Sequence, residues 1–234
     1  MWGYHVVRTV EQLDIEHGRL HQDFPREINE HQNPLAQAFA ATGWPVRFKR
    51  DAKIQGEGEL AEHFYLIESG AAQSYKLTDD GRHQIIAFHL AGDVIELGAD
   101  RRHSFSAAAA APCVIRVAKR TAIIAMAGSS SALASEILRG IARDQQFAQE
   151  HLLALGRKNA EERMASFVLQ MTDRSPSSPV IELPMTRQDI ADYLGLTVET
   201  VARTLTQLER ASVITRNRRQ IRLCNRSALL SLHA

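Results

Sequence analysis

Glu199 and Arg203 stand four residues apart, so on a helix they share one face a single turn apart. An arginine fork matches guanine O6 and N7 in the major groove, and a carboxylate can accept from cytosine N4. Ala202 lies between them and can rest against a thymine methyl. As an isolated surface pair, Glu199 and Arg203 would be worth only about 0.3–0.5 kcal/mol. A carboxylate aimed at a polyanion costs affinity by repulsion, so its place is explained if it reads a base or orients Arg203. Around this pair the chain offers groups suited to phosphate oxygens: Thr186, Arg187, Thr197, Thr200 and Thr206, then Arg216, Arg218 and Arg219.

The elements that must position these residues are written in the same stretch. Thr186 precedes Asp189 by three residues, a variant capping box, and Ile190, Ala191 and Leu194 form an apolar stripe before Gly195. Thr197 then caps a second helix whose Val201, Leu205 and Leu208 recur at helical spacing. Two short helices joined by a tight Gly turn predict a helix-turn-helix. Residues 213–223 read as a hairpin with the basic tip Arg216-Asn217-Arg218-Arg219, a wing, and Val180–Leu183 as a short strand. From Pro184 onward eight Arg face four acids, a charge of +4 within a chain of net charge +1, which leaves −3 for the remainder. A basic tail module on a slightly acidic body fits a polyanion partner, double-stranded DNA.

Upstream, Ala134, Leu138, Ile141, Gln145, Ala148, Leu152 and Leu155 alternate by four and three, an a/d seam. A helix over 128–156, capped within Ser129–Ser131, is expected to pair with the same helix of a second subunit. A further helix is expected over 157–171, ending at the Pro/Ser stretch 173–179. Between Pro45 and Val117, short Val/Ile/Phe/Tyr segments are punctuated by glycines, and Asp80-Gly81 marks a hairpin. This predicts an antiparallel roll. The expected architecture is α+β: an arm over 1–30, a roll over 31–127, a dimerisation helix over 128–156 and a winged helix-turn-helix over 157–234.

Composition closes off other classes. No apolar run approaches the roughly 20 residues of a membrane span. The first residues show no signal-peptide core, so a cytoplasmic protein with no membrane partner is expected. Cys113 and Cys224, the two cysteines, make no disulfide framework. Cys224 follows the wing as a packing residue or an oxidation handle. His17 and His21 could share a helix face, but no further ligands lie near for a metal. Ser104 and Ser106 lie near His103, yet the sequence places no acid to orient that histidine, and no phosphate loop or nucleophile elbow occurs. No enzyme is expected.

The order roll, long helix, winged helix-turn-helix resembles the cAMP receptor protein/FNR family of bacterial transcription regulators, over about residues 35–230. The segment LPMTRQDIADYLGLTVETVARTLTQLE looks like the FixK and FnrN branch, whose recognition helix carries Glu-x-x-x-Arg, here Glu199 and Arg203. Val198 stands where the cAMP receptor branch has a further Arg. The resemblance implies an FNR-type palindrome, TTGAT-N4-ATCAA, although Ala202 replaces the Ser usual in FNR-like helices. It also implies an activator of microaerobic, denitrification or nitrogen-fixation genes, with RNA polymerase as a further partner. The family's cyclic-nucleotide cassette corresponds to Glu96, Leu97 and then Phe105-Ser106-Ala107, so the phosphate-binding Arg is missing; Arg101 and Arg102 are nearby substitutes. The cysteine set of FNR is absent too, and two cysteines cannot supply four cluster ligands. No cofactor is therefore expected. The alternative is a roll that binds haem or a small molecule to switch DNA binding; ten histidines leave a haem ligand available.

Overall fold

A computed structural model describes residues 33–78, 83–98, 100–174, 178 and 180–233. The expected arm over 1–30 with His17 and His21, the Asp80-Gly81 turn and most of the stretch 175–179 lie outside the described residues.

The first half begins with α1 (Pro34–Thr42), where Asn33 Oδ1 accepts from the Leu35 and Ala36 amides and Pro34 occupies the first turn. Strands β1 (Trp44–Phe48), β2 (Lys53–Gln55), β3 (His63–Ser69), β4 (Ala71–Leu77), β5 (His83–Leu90), β6 (Val94–Ile95), β7 (Ser106–Ala109) and β8 (Cys113–Lys119) follow. They pair antiparallel in two sheets, β1-β8-β3-β6 and β2-β7-β4-β5. Side chains that alternate inward, such as Ile115 and Val117 of β8, meet Ile54, Ile67, Ala72 and Ala107 in the space between the sheets. This is the antiparallel roll that the glycine-punctuated segments predict.

The outer face of the first sheet needs cover, and three helices supply it. Leu35 and Phe39 of α1, Ile123 of α2 (Arg120–Ser129) and Leu133 of α3 (Ser131–Arg157) pack with Phe64, Leu66 and Ala118. Ser130 caps α3 by accepting from the Leu133 amide. The long helix therefore starts at Ser131, and the residues just before it belong to a separate short helix. Gly140 lets α3 press on the roll: a Cβ there would lie 2.8 Å from Leu97 Cδ2.

The second half comprises α4 (Ala160–Asp173), β9 (Val180–Glu182), α5 (Arg187–Leu194), α6 (Val198–Arg210), β10 (Ile214–Asn217), β11 (Gln220–Leu223) and α7 (Arg226–His233). Sheet order is β10-β11-β9. Its core joins Met164 and Phe167 to Ile190, Leu194, Val201, Leu205, Ile214, Ile221 and Leu229. Ile85 and Phe88 of the roll belong to the same cluster, so the two halves share apolar packing. Polar ties reinforce the joint. Arg174 pairs with Asp93 and donates to the Phe88 carbonyl, Gln84 donates to the Asp192 carbonyl, and Arg50 donates to the Pro184 carbonyl.

Candidate nucleic-acid interface

The candidate interface is built from two caps and one glycine. Thr186 Oγ1 accepts from the Asp189 amide at 3.1 Å while Asp189 Oδ2 accepts from the Thr186 amide at 2.7 Å, so the capping box is reciprocal. Gly195 ends α5 at φ 61°, left-handed backbone that an L side chain resists. Thr197 then caps α6, accepting from the Thr200 amide at 3.2 Å. Fully buried Ala191 lets α6 approach α5, and Val201, Thr204, Leu205 and Leu208 turn inward. The opposite face of α6 carries Glu199, Ala202, Arg203, Gln207 and Arg210, all exposed.

Glu199 and Arg203 thus share the outer face near the start of α6. Nothing among the described residues ties them together. The Glu199 carboxyl is held below its usual range by its own backbone N–H and by the Thr197 hydroxyl. The Arg203 guanidinium has no carboxylate partner among the described residues and projects into solvent. In this state the carboxylate belongs to the helix N-terminus, and the fork is available.

The other predicted residues divide by what already engages them. Thr186 and Thr197 spend their oxygens on caps. The Thr200 and Thr197 hydroxyls lie 3.1 Å apart, and Thr206 donates to the Ala202 carbonyl at 2.9 Å. Arg216 is committed within the fold: its Nη2 and Nε donate to Glu209 Oε2 at 2.6 and 3.1 Å, and its Nη2 reaches Thr206 Oγ1 at 3.3 Å. That fork fixes the wing to the end of α6 and holds the Glu209 carboxyl low. Arg187 is half-buried, and burial followed by the nearby Arg216 charge pushes its guanidinium below its ordinary range. Arg218 (φ 53°) and Arg219 form the exposed wing tip, as the hairpin reading expects. Cys224 is exposed just beyond β11, its Sγ 3.9 Å from Thr215 Oγ1. Cys113 is buried in the roll, which pushes its thiol up to about 12.

Sequence reasoning missed Glu209 and Gln207. Gln207 lies one turn beyond Arg203 and could have been found by continuing the same i,i+4 step. Glu209 gains its role from a residue seven positions on, across the chain reversal into β10, which periodicity along one helix does not reveal.

The long helix α3 has two apolar faces. Leu133, Gly140 and Ala154 are buried against the chain's own domains, and Phe147 and His151 are half-buried. On the other side Leu138, Leu152 and Leu153 are 67%, 71% and 63% exposed. Of the seam residues, Gln145 and Ala148 are also exposed, while Ala134, Ile141 and Leu155 are half-buried. Ile141 partly packs on the roll.

The family's nucleotide cradle is occupied by protein groups. Glu96 Oε2 accepts from Gln55 Nε2 at 2.7 Å and lies 3.0 Å from His103 Nδ1, and Glu96 Oε1 accepts from the Ser104 amide at 2.6 Å. Burial alone would raise the Glu96 carboxyl, but these bonds outweigh it and hold it low. Arg102 is exposed and donates to the Gly58 carbonyl, and Arg101 is exposed as well. Ser106 Oγ accepts from the Glu57 amide. The carboxylate that would meet a cyclic nucleotide's ribose is already engaged, and Phe105 stands where the phosphate-binding Arg is expected, so these residues fit that ligand poorly. One expectation is corrected here. The sequence shows no acid beside His103, yet the fold brings Glu96 to it. The pair is buried, with side-chain exposures of 4% for His103 and 9% for Glu96, and ties the residue after β6 to the segment just before β7. Among the described residues no cluster of three or more His, Cys, Asp or Glu is placed to hold a metal, and no helix is long and apolar enough to cross a membrane.

Comparison with known proteins agrees with this architecture. A Crp-like helix-turn-helix domain matches residues 162–232, and a cyclic nucleotide-binding domain matches residues 45–130. The nitrogen fixation regulation protein FixK of Azorhizobium caulinodans is 44% identical over 203 residues, covering 84% of this chain and 82% of the relative. FixK of Rhizobium meliloti is 39% identical over 186 residues, 79% of this chain and 85% of the relative. The structure of FixK2 from Bradyrhizobium japonicum superposes with a TM-score of 0.78 at 41% identity, covering 82% of this chain and 98% of that one. With a helix-turn-helix assembled at the basic end, a roll at the other and relatives of this closeness, the chain belongs to the CRP/FNR family and is a FixK-like, DNA-binding transcription regulator.

Proposed function

We propose that this regulator acts as a homodimer on the palindrome TTGAT-N4-ATCAA, without cAMP or an iron–sulfur cluster. It activates genes of microaerobic respiration, denitrification or nitrogen fixation in the cytoplasm, through contact with RNA polymerase. The observation that carries this reading is the free Arg203 fork on an exposed α6 face, beside Glu199 and above a wing whose Arg218 and Arg219 reach outward. Arg203 takes the guanine of TTGAT, Glu199 accepts from a cytosine amine, and Ala202 meets a thymine methyl. Thr186, Arg187, Thr197, Thr200, Thr206, Arg218 and Arg219 line the backbone, with Arg216 holding the wing in place. The exposed leucines of α3 supply the dimer seam, with Ala134, Leu138, Ile141, Gln145, Ala148, Leu152 and Leu155 along it and Leu153 beside it. The Glu96 carboxylate, already engaged by Gln55, His103 and Ser104, supports effector-free binding.

Selection of bound sequences from a random duplex pool by the untreated protein tests the whole reading. Enrichment of the two-fold TTGAT motif without any added ligand is the expected result. No enriched motif, or enrichment only after a ligand or haem is supplied, overturns it.

A further inference from the structure

Two helices of separate function end at one side chain. Arg163 lies in the first turn of α4, and its guanidinium donates from Nη2 to the Leu155 carbonyl at 2.9 Å and from Nε to the Lys158 carbonyl at 2.9 Å. The Leu155 carbonyl lies in the last turn of α3, the long helix, and Lys158 is the extended residue that follows its end. From Nη1 the same group donates to the Leu194 carbonyl at 3.0 Å and reaches the Gly195 carbonyl at 3.5 Å. Those carbonyls end α5, at the turn that launches the reading helix. Helix C-termini carry partial negative charge, and here two of them converge on one cation. The guanidinium is planar, with donors fixed in direction, so it sets an angle as well as a distance. The neighbouring contacts close the joint: His151 of α3 stacks on Tyr193 of α5 at 4.0 Å and 5° between planes. A Cβ on Gly195 would lie 3.5 Å from both Arg163 Nη1 and Leu155 Cδ2.

The geometry points to Arg163 as the positioning residue that fixes the reading helix relative to the dimer helix and so sets the half-site spacing the protein accepts. This rests on the reading of the chain as a dimer on a palindrome. Adding or removing one base pair moves the second half-site by about 3.4 Å along the axis and turns it by about 35°. Only a stiff link between α3 and α5 in each subunit makes such a displacement costly. Lysine keeps a positive charge near both helix ends but, as a point charge on a flexible stem, cannot hold the plane.

The test compares wild type, Arg163→Lys and Arg163→Ala on TTGAT duplexes with spacers of three, four and five base pairs, with half-site duplexes and thermal melting as controls. Wild type should prefer one spacer, while Arg163→Lys should melt normally and bind half-sites normally yet lose about five- to tenfold of that spacer preference. Arg163→Ala should lose at least as much. Equal weakening across all spacers overturns the inference, as does unchanged preference in both variants or failure of both to fold. Should wild type itself show no two-fold preference, the dimeric reading fails first, and the inference with it.

Discussion

At the scale of single residues, the candidate interface separates side chains left unengaged from side chains that hold the fold. Arg203 is unengaged, so Arg203→Ala should cost about 1–3 kcal/mol on the TTGAT palindrome and relax preference at the guanine. Competition binding with each base substituted at that position checks this, and equal binding by mutant and wild type would remove base readout. Arg218 and Arg216 should behave differently although both are wing arginines. Arg218→Ala should weaken every sequence alike and flatten the slope of log affinity against log salt by about one. Arg216 is spent on Glu209 and Thr206, so its removal frees the wing from α6 and should lower stability as well as affinity. A melting temperature unchanged in Arg216→Ala would show that the fork does not hold the wing. Glu199 and Arg203 are legible in the sequence because both lie on one helix at a fixed step. The Glu209–Arg216 pair is not, because it joins a helix to the strand that doubles back on it.

Elements were legible where local chemistry is redundant. The helix-turn-helix announces itself through two threonine caps, a glycine that suits the left-handed φ of 61° without a side chain to resist it, and matching apolar stripes. Gly195→Ala should therefore cost about 1–2 kcal/mol in unfolding free energy, which urea denaturation measures, since the residue must stay left-handed. No change would mean that the turn relaxes. Helices α1 and α7 carry cap signals without a strong apolar stripe: Asn33 precedes Pro34, and Asn225 Oδ1 accepts from the Ala228 amide at 2.9 Å. Helix α2 had none, since Lys119 makes no side-chain cap and the helix runs directly from β8. Heptad spacing along one face predicts the long helix. The same helix also packs on its own domains, so burial alternates between two sides and the seam ends up partly shared, as at Ile141. Leu152→Asp introduces a charge on the face left exposed, where Leu152 is 71% accessible, without touching the roll side. Sedimentation should show a dimer becoming a monomer of unchanged helicity. A Leu152→Asp protein that stays dimeric would place the seam elsewhere.

Across the whole molecule, the helix-turn-helix module is docked rather than tethered, and one histidine is half-buried at the joint and another is buried inside the roll, both able to carry charge. His151 stacks on Tyr193 at the α3–α5 joint, where burial and then the Arg163 charge hold it at about pKa 4. His89, bonded to Ser74 at 2.8 Å, is held at about 4 by burial. An unfolded histidine titrates near 6.5. Between these values the unfolded chain binds protons that the folded chain refuses, so stability is fully present above about pH 6.5 and is lost as pH falls towards 4. For fully buried His89 the loss by pH 5 is about 2 kcal/mol, and for the partly exposed His151 it is smaller. Carboxylates held low, such as Glu96, add a decline of the same sign further down, so the total slope alone does not assign the histidines. His151→Phe does assign one of them, because it keeps a ring against Tyr193 and removes the titration. Urea midpoints measured from pH 7.5 to 5 should fall less steeply for that variant than for wild type, with the two curves parting below about pH 6.5. Superimposable curves would mean that His151 takes up its proton without leaving the stack. In that case acid would not loosen the joint between α3 and α5.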